Sequence, residues 1–195
     1  MINSITIIFI ALTSPVDVDL QKATNRYASA PGIQWEITSI IHSDIFEESD
    51  TSKINLIYNP ADSFYMKSDS ETLIGLGDTL WIISDKHKQV QKRILTDYAR
   101  PIDFIMNWNS NYDIDSAIVR GDNRQFYLTG RPGATPSNVV LFTNKNGKLR
   151  RITYKDSAGS LINLIIEKEK LRNYSKTNIF ELKSPPGYKQ IDLTE

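Results

Sequence analysis

Cysteine is absent from all 195 residues. That excludes a disulfide framework, a thiolate metal site and a cysteine nucleophile. It also excludes the acylated cysteine through which bacterial lipoproteins carry their own anchor. An excess of charge of one sign is missing too, since Lys+Arg 23 balances Asp+Glu 23. A dedicated nucleic-acid binder usually carries a basic excess, so nucleic acid is not an expected partner. Histidine is scarce, with only His42 and His87. Neither belongs to an HExxH metal pattern, and no GxSxG elbow accompanies them. Gly75-Leu76-Gly77 is a bare GxG between two strand patterns with no helix behind it, which is a turn rather than a dinucleotide loop. No set of nucleophile, base and oxyanion donors assembles. The chain reads as a non-enzyme with no cofactor and no metal.

Long apolar runs are also lacking. The strongest, ITIIFIAL from Ile5 to Leu12, is far short of the roughly 20 residues that span a bilayer. No Lys or Arg precedes it, and its exit at Thr13-Ser14-Pro15 is not a clean small-x-small site. Residues 1–14 therefore read as an atypical or truncated secretory signal, with a short N-terminal strand or a misassigned start as alternatives. Residues 15–195 then form one domain, long enough to bury a real core.

What the chain does contain is β rhythm. Residues 16–30 read as a helix with Leu20, Ala23, Tyr27 and Ala30 on one stripe and Pro31-Gly32 as its stop. GIQWEITSIIHS then alternates as a half-buried strand, and residues 47–53 read as a polar connection. KINLIYN, SFYMKS, ETLIGL, DTLWIIS and KQVQKRIL follow as short strands, as in an antiparallel meander. Residues 100–111 break the pattern and predict one short, apolar helix starting near Pro101. Strands resume in SAIVRGD, RQFYLTG, NVVLFTN, KLRRITYKD and SLINLIIEKEKL, with Asn146-Gly147 the strongest hairpin signal. The end, FELKSPPGYKQIDL, predicts two short strands joined by a sharp corner at Pro185-Pro186-Gly187.

TLWIIS, NVVLFT and SLINLIIE are apolar on both strand faces, whereas an antiparallel strand normally shows water one polar face. Part of the sheet is therefore covered on both sides, or one side lines an apolar hollow. Lys145, Lys148, Arg150, Arg151 and Lys155 flank a hairpin and could meet phosphate or an acidic partner. A solvated face is the plainer reading, because the neutral composition supplies no wider basic field.

Several segments, in order, resemble the LolA family of periplasmic lipoprotein carriers and its wider LolA/LolB/RseB-type superfamily. GLGDTLWIISDKHKQVQKRIL is similar to the family's Gly-turn, Leu-Trp strand and Gln-Val strand, here Gly77, Leu80, Trp81, Gln89 and Val90. RPIDFIMN resembles its short helix begun by proline, RQFYLT its Phe/Tyr-x-Leu-Thr strand, and KLRRITYKDSAGSLINLIIE its Asp…Gly hairpin. FELKSPPGYKQI resembles its closing corner. Two features depart. The family's Arg-Pro pair, whose arginine latches helices over the cavity mouth, is replaced by Asn59-Pro60, and the first helix lacks the Phe-rich pattern.

The resemblance implies a mainly β fold with α (α+β). It is an incomplete, strongly curved antiparallel barrel of about ten strands, with short helices as a lid over a hydrophobic cavity. It also implies a monomeric periplasmic carrier that shields acyl chains of lipoproteins moving from the inner to the outer membrane. An inner-membrane releasing transporter and an outer-membrane acceptor are its implied partners. A carrier of another lipid or pigment precursor, or an envelope-stress sensor, remains open on the same fold. The cavity-lining candidates are Trp35, Ile37, Leu56, Tyr58, Phe64, Met66, Leu80, Ile82, Val140 and Phe142. Ile105, Met106 and Trp108 are candidates for the lid.

Overall fold

A computed structural model describes residues 15–43, 45–60, 63–95, 100–174 and 177–194. Residues 1–14, and with them the signal-segment reading, lie outside the described residues. The chain opens with α1, Pro15–Ala28. Pro15 suits a first helical turn, Asp17 and Arg26 match the helix dipole at its two ends, and Pro31 stops the helix. The predicted stripe is its buried side: Leu20, Ala23 and Tyr27 are essentially inaccessible.

Twelve strands follow: β1 Ile33–Ser43, β2 Glu48–Asn59, β3 Ser63–Lys67, β4 Glu71–Leu76, β5 Thr79–Ser84, β6 Gln89–Ile94, β7 Tyr112–Arg120, β8 Asn123–Gly130, β9 Asn138–Asn144, β10 Leu149–Lys155, β11 Leu161–Leu171 and β12 Lys189–Asp192. Between β6 and β7 lie two single helical turns, α2 Asp103–Met106 and α3 Trp108–Asn111. All strands join one sheet in the order β12-β6-β5-β4-β3-β2-β1-β11-β10-β9-β8-β7. β7 and β12 are its edges, so the sheet is open. Every pairing is antiparallel except β12 with β6, which is parallel. The architecture is thus the open, curved antiparallel sheet with short helices that was expected, built from twelve strands instead of about ten.

One side of the sheet faces α1 and α2 and gathers a single core from β1 to β11. Strand alternation assigns the rows. Ile33, Trp35 and Ile37 of β1 stand opposite Tyr58, Leu56 and Ile54 of β2. Leu56 and Tyr58 stand opposite Met66 and Phe64 of β3, and Phe64 opposite Gly75 of β4. A Cβ on Gly75 would overlap the Phe64 ring, so the residue's lack of a side chain makes room for that ring. Gly75 therefore belongs to a strand, and only Gly77, at φ 55°, belongs to the turn read into Gly75-Leu76-Gly77.

The second apolar face of β3–β6 is covered by the C-terminal segment. Ile74, Ile83 and Val90 pack there with Tyr65, Trp81 and Tyr188. Tyr174 Oη donates to Gln34 Oε1 at 2.9 Å, and Tyr188 Oη to Asp85 Oδ1 at 2.8 Å. This cover explains why TLWIIS is apolar on both faces.

Three local expectations are corrected. Residues 48–53 extend β2, although polar and exposed, because they pair residue by residue with Thr38–Ser43 of β1. The helix expected over 100–111 is broken at Asn107, whose φ of −115° lies outside the helical range. FELK is not a strand: Asn178–Phe180 forms a 3-10 turn, and only Lys189–Asp192 after the Pro-Pro-Gly corner enters the sheet.

Candidate functional site

The apolar inner face of the sheet and the three helices over it form the candidate site. Of the lining candidates, Trp35, Ile37, Leu56, Phe64 and Leu80 lie in this core and are at most 2% exposed. Tyr58, Met66 and Ile82 are half-buried at its margin. Val140 and Phe142 are not brought to it. Their neighbours Val139 and Leu141 point inward instead, and in a strand adjacent side chains face opposite ways. A one-residue shift in reading NVVLFT moves the whole set to the other face, and because the strand is apolar on both faces the sequence does not discriminate. Ile54, Leu73, Phe126, Ile152, Tyr154 and Leu164, which no sequence motif singles out, complete the inner face.

The lid candidates sit together. Ile105 is fully buried against the sheet, and Met106 and Trp108 are half-buried at its border. Phe104, buried beside them, has its ring 5.2 Å from that of Tyr154 and 6.4 Å from that of Tyr112. A groove of about 330 Å³ runs along the seam of α1 and α3, lined by Asp17, Val18, Gln21, Lys22, Asn25 and Trp108.

Two polar clusters among the described residues hold the candidate lid. Thr24 of α1 is the junction: its hydroxyl donates to Ile105 O at 2.9 Å and accepts from Trp108 Nε1 at 3.0 Å. Arg100, just before α2, grips Asp103 through Nε and Nη2, each at 2.9 Å. Its guanidinium also lies over the Tyr58 ring, 5.6 Å from the centroid. An arginine therefore does reach the lid border, from Arg100-Pro101 rather than from position 59.

α1 is pinned more firmly to the sheet. At its C-terminal end, the Glu169 carboxylate of β11 accepts from Arg26 Nη2 and Tyr27 Oη, both at 2.6 Å, and from Trp35 Nε1 at 3.2 Å. The Glu169 side chain is 2% exposed. Burial opposes its charge, but the hydrogen bonds from Tyr27 and Arg26 outweigh that and hold its pKa below the ordinary value. Burial, reinforced by the neighbouring Glu169 charge, pushes the Tyr27 phenol well up, so Tyr27 stays a donor. At the N-terminal end, Asp19 accepts from Arg124 Nε of β8 at 2.6 Å and from Lys22 at 2.7 Å. These two anchors were not legible in the sequence. The larger one leaves no distinct trace, because Glu169 lies in the charged run Glu167-Lys168-Glu169-Lys170 near the end of β11, and only the strand pairing sets it opposite Trp35.

The chemistry of the inner face is apolar contact. Among the described residues no group of three or more His, Cys, Asp or Glu is placed to hold a metal ion. Also among them, no helix is long and apolar enough to cross a membrane.

No protein-family model and no curated protein matches the chain. Solved structures do. An uncharacterized conserved protein from Thermus thermophilus aligns at a TM-score of 0.56 and 12% identity, over 88% of this chain and 98% of that one. A DUF1329 family protein from Desulfovibrio piger aligns at 0.51 and 12% identity, over 87% and 98%. The matches include a protein described as a LolA superfamily member from Nitrosomonas europaea, at 0.49 and 12% identity, over 86% and 98%. At such identities the likeness is one of fold.

Proposed function

We propose that this chain is a carrier, not an enzyme, that shields acyl chains between the inner face of its sheet and the α1–α3 lid. The observation that carries the reading is the lid itself: a continuous apolar face closed by two one-turn helices whose hydrogen bonds to α1, among the described residues, meet at the Thr24 hydroxyl. An acyl chain of about 16 carbons exposed to water costs on the order of 13 kcal/mol at ~0.8 per CH₂, so it does not cross an aqueous compartment unshielded. Aliphatic, aromatic and Met walls suit such cargo, because dispersion contacts tolerate sliding and repacking.

The central side chains, Trp35, Leu56, Phe64 and Leu80, are already buried beneath the lid. Capture therefore couples to lid displacement: the cargo replaces Ile105, Met106 and Trp108 as the cover of the sheet. The helical turns that move are too short to be stable alone, so their closure rests on packing. By resemblance of the ordered sequence motifs, the cargo class is the acylated lipoprotein in transit through the periplasm. An inner-membrane donor and an outer-membrane acceptor stand at the two ends of that transit.

A fluorescent fatty-acyl probe titrated into the purified protein tests the binding step. Saturable uptake with a blue shift, competed by unlabelled lipid, is expected. A probe that stays in water at all protein concentrations would contradict a lipid-binding inner face.

A further inference from the structure

The outer face of β7–β10, unlike that of β3–β6, bears a groove of its own. A row of facing residues crosses it: Ile118 opposite Gln125, Gln125 opposite Phe142, Phe142 opposite Arg151, and Arg151 opposite Ile165. With Arg120 and Arg150 they line a groove of about 310 Å³. Three observations point to an anion here. First, a bulge between Leu149 and Arg151 breaks the strand alternation, so that Arg150 and Arg151 line the same groove. Second, the Arg151 guanidinium lies 3.6 Å from the centroid of the Phe142 ring, and its Nε is buried with no hydrogen-bond partner among the described residues. Third, no Asp or Glu lines the groove. Arg124 is committed to Asp19, whereas Arg120, Arg150 and Arg151 have no ion pair among the described residues.

We infer that this groove docks the protein on a bilayer surface rich in anionic phospholipid. Phosphates would lie against Arg120, Arg150 and Arg151, and Ile118, Phe142 and Ile165 supply the apolar floor that meets the interfacial region. The chain has no net charge, so the attraction is local and carries no broad basic field suited to nucleic acid. The groove lies on the face opposite the lid, so a docked molecule keeps α2 and α3 free to move. Docking does not depend on what the inner face carries.

Vesicle flotation of the full chain tests this, comparing phosphatidylcholine with mixed phosphatidylcholine and phosphatidylglycerol. Arg120 and Arg150 are exposed, so the variant Arg120→Glu/Arg150→Glu is expected to fold, which circular dichroism checks. The wild type should bind only the anionic vesicles and release with added salt. The double variant should bind at least about 25-fold more weakly, since each basic residue lost is worth roughly fivefold and each added carboxylate repels the surface further. Equal binding to both vesicle types, or unchanged binding of the folded variant, would overturn the inference. So would binding of soluble glycerophosphoglycerol without vesicle binding, which would replace the bilayer with a small phosphate ligand.

Discussion

Tyr27 of α1 donates its hydroxyl proton to Glu169 of β11 across 2.6 Å, and the same oxygen accepts from the Leu149 backbone N–H of β10 at 2.8 Å. One phenol thus joins the first helix to two strands far along the chain. Trp35, whose ring meets that of Tyr27 edge-on at 5.4 Å, donates to the same carboxylate. The helix over the inner face is fixed by this node, while α2 and α3 beside it are held by Thr24 and Arg100.

Removing the acceptor should destabilise the fold. Glu169→Ala leaves Tyr27, Trp35 and Arg26 without their shared partner inside the core, a loss of about 3 kcal/mol. Tyr27→Phe keeps the ring and loses about 1–2 kcal/mol. Urea unfolding should show lower midpoints with an unchanged slope. Wild-type stability in Glu169→Ala would show that this carboxylate does not hold α1 to the sheet.

Acid should loosen α1 first. The folded-state pKa values of Glu169 and Asp19 both lie below their ordinary values, 4.5 and 3.8, that of Asp19 because Lys22 and Arg124 hydrogen-bond it. A carboxylate depressed on folding adds stability above its unfolded pKa and loses it as pH falls through the folded one. The stability supplied by these two anchors should thus be complete above about pH 5 and decline below about pH 4. Amide exchange along α1 should accelerate in that window, and Glu169→Gln should flatten the glutamate part of the dependence. Exchange indifferent to pH in α1 would contradict it.

The sheet was largely readable because its strands alternate and its turns are punctuated by glycine, as at Asn146-Gly147. Where composition and pairing disagreed, pairing won: residues 48–53 are polar yet extended because β1 supplies a partner. Val140 and Phe142 went to the wrong face because their strand is apolar on both sides, and no local signal fixes which side meets the helices. The twelfth strand was visible, but its parallel partner was not, since that pairing spans 100 residues. Glu169 and Thr24 were illegible for the same reason: a hydrogen bond between distant elements leaves no periodic trace.

The Thr24 junction should govern lid opening more than folding. Thr24→Val keeps the shape, removes both lid hydrogen bonds and should cost about 1 kcal/mol of stability. Exchange protection over residues 103–111 should fall, and uptake of an acyl probe should quicken. Unchanged protection there would show that Thr24 does not hold the lid.

Gly75→Ala should be felt out of proportion to its size. The new methyl would overlap the Phe64 ring, and overpacking of this kind costs roughly 1–3 kcal/mol. A Phe64→Leu partner change should recover part of the loss. Wild-type stability in the single variant would mean that the ring is free to shift.

Met106, half-buried at the lid border, separates binding from folding. Met106→Gln should lower acyl-probe affinity severalfold and cost no more than about 1–3 kcal/mol of stability, the range for a polar amide placed in a half-buried apolar site. An equal loss of folding would make it ordinary core.

The most direct measurement is release of acylated cargo. The purified protein is incubated with spheroplasts holding newly made lipoproteins, and the soluble fraction is analysed by intact-mass spectrometry, with Met106→Gln in parallel. Acylated lipoprotein is expected in soluble complex with the wild type, and less of it with the variant. A soluble fraction without any acylated species would contradict the carrier function, and free lipid alone would contradict lipoprotein as the cargo.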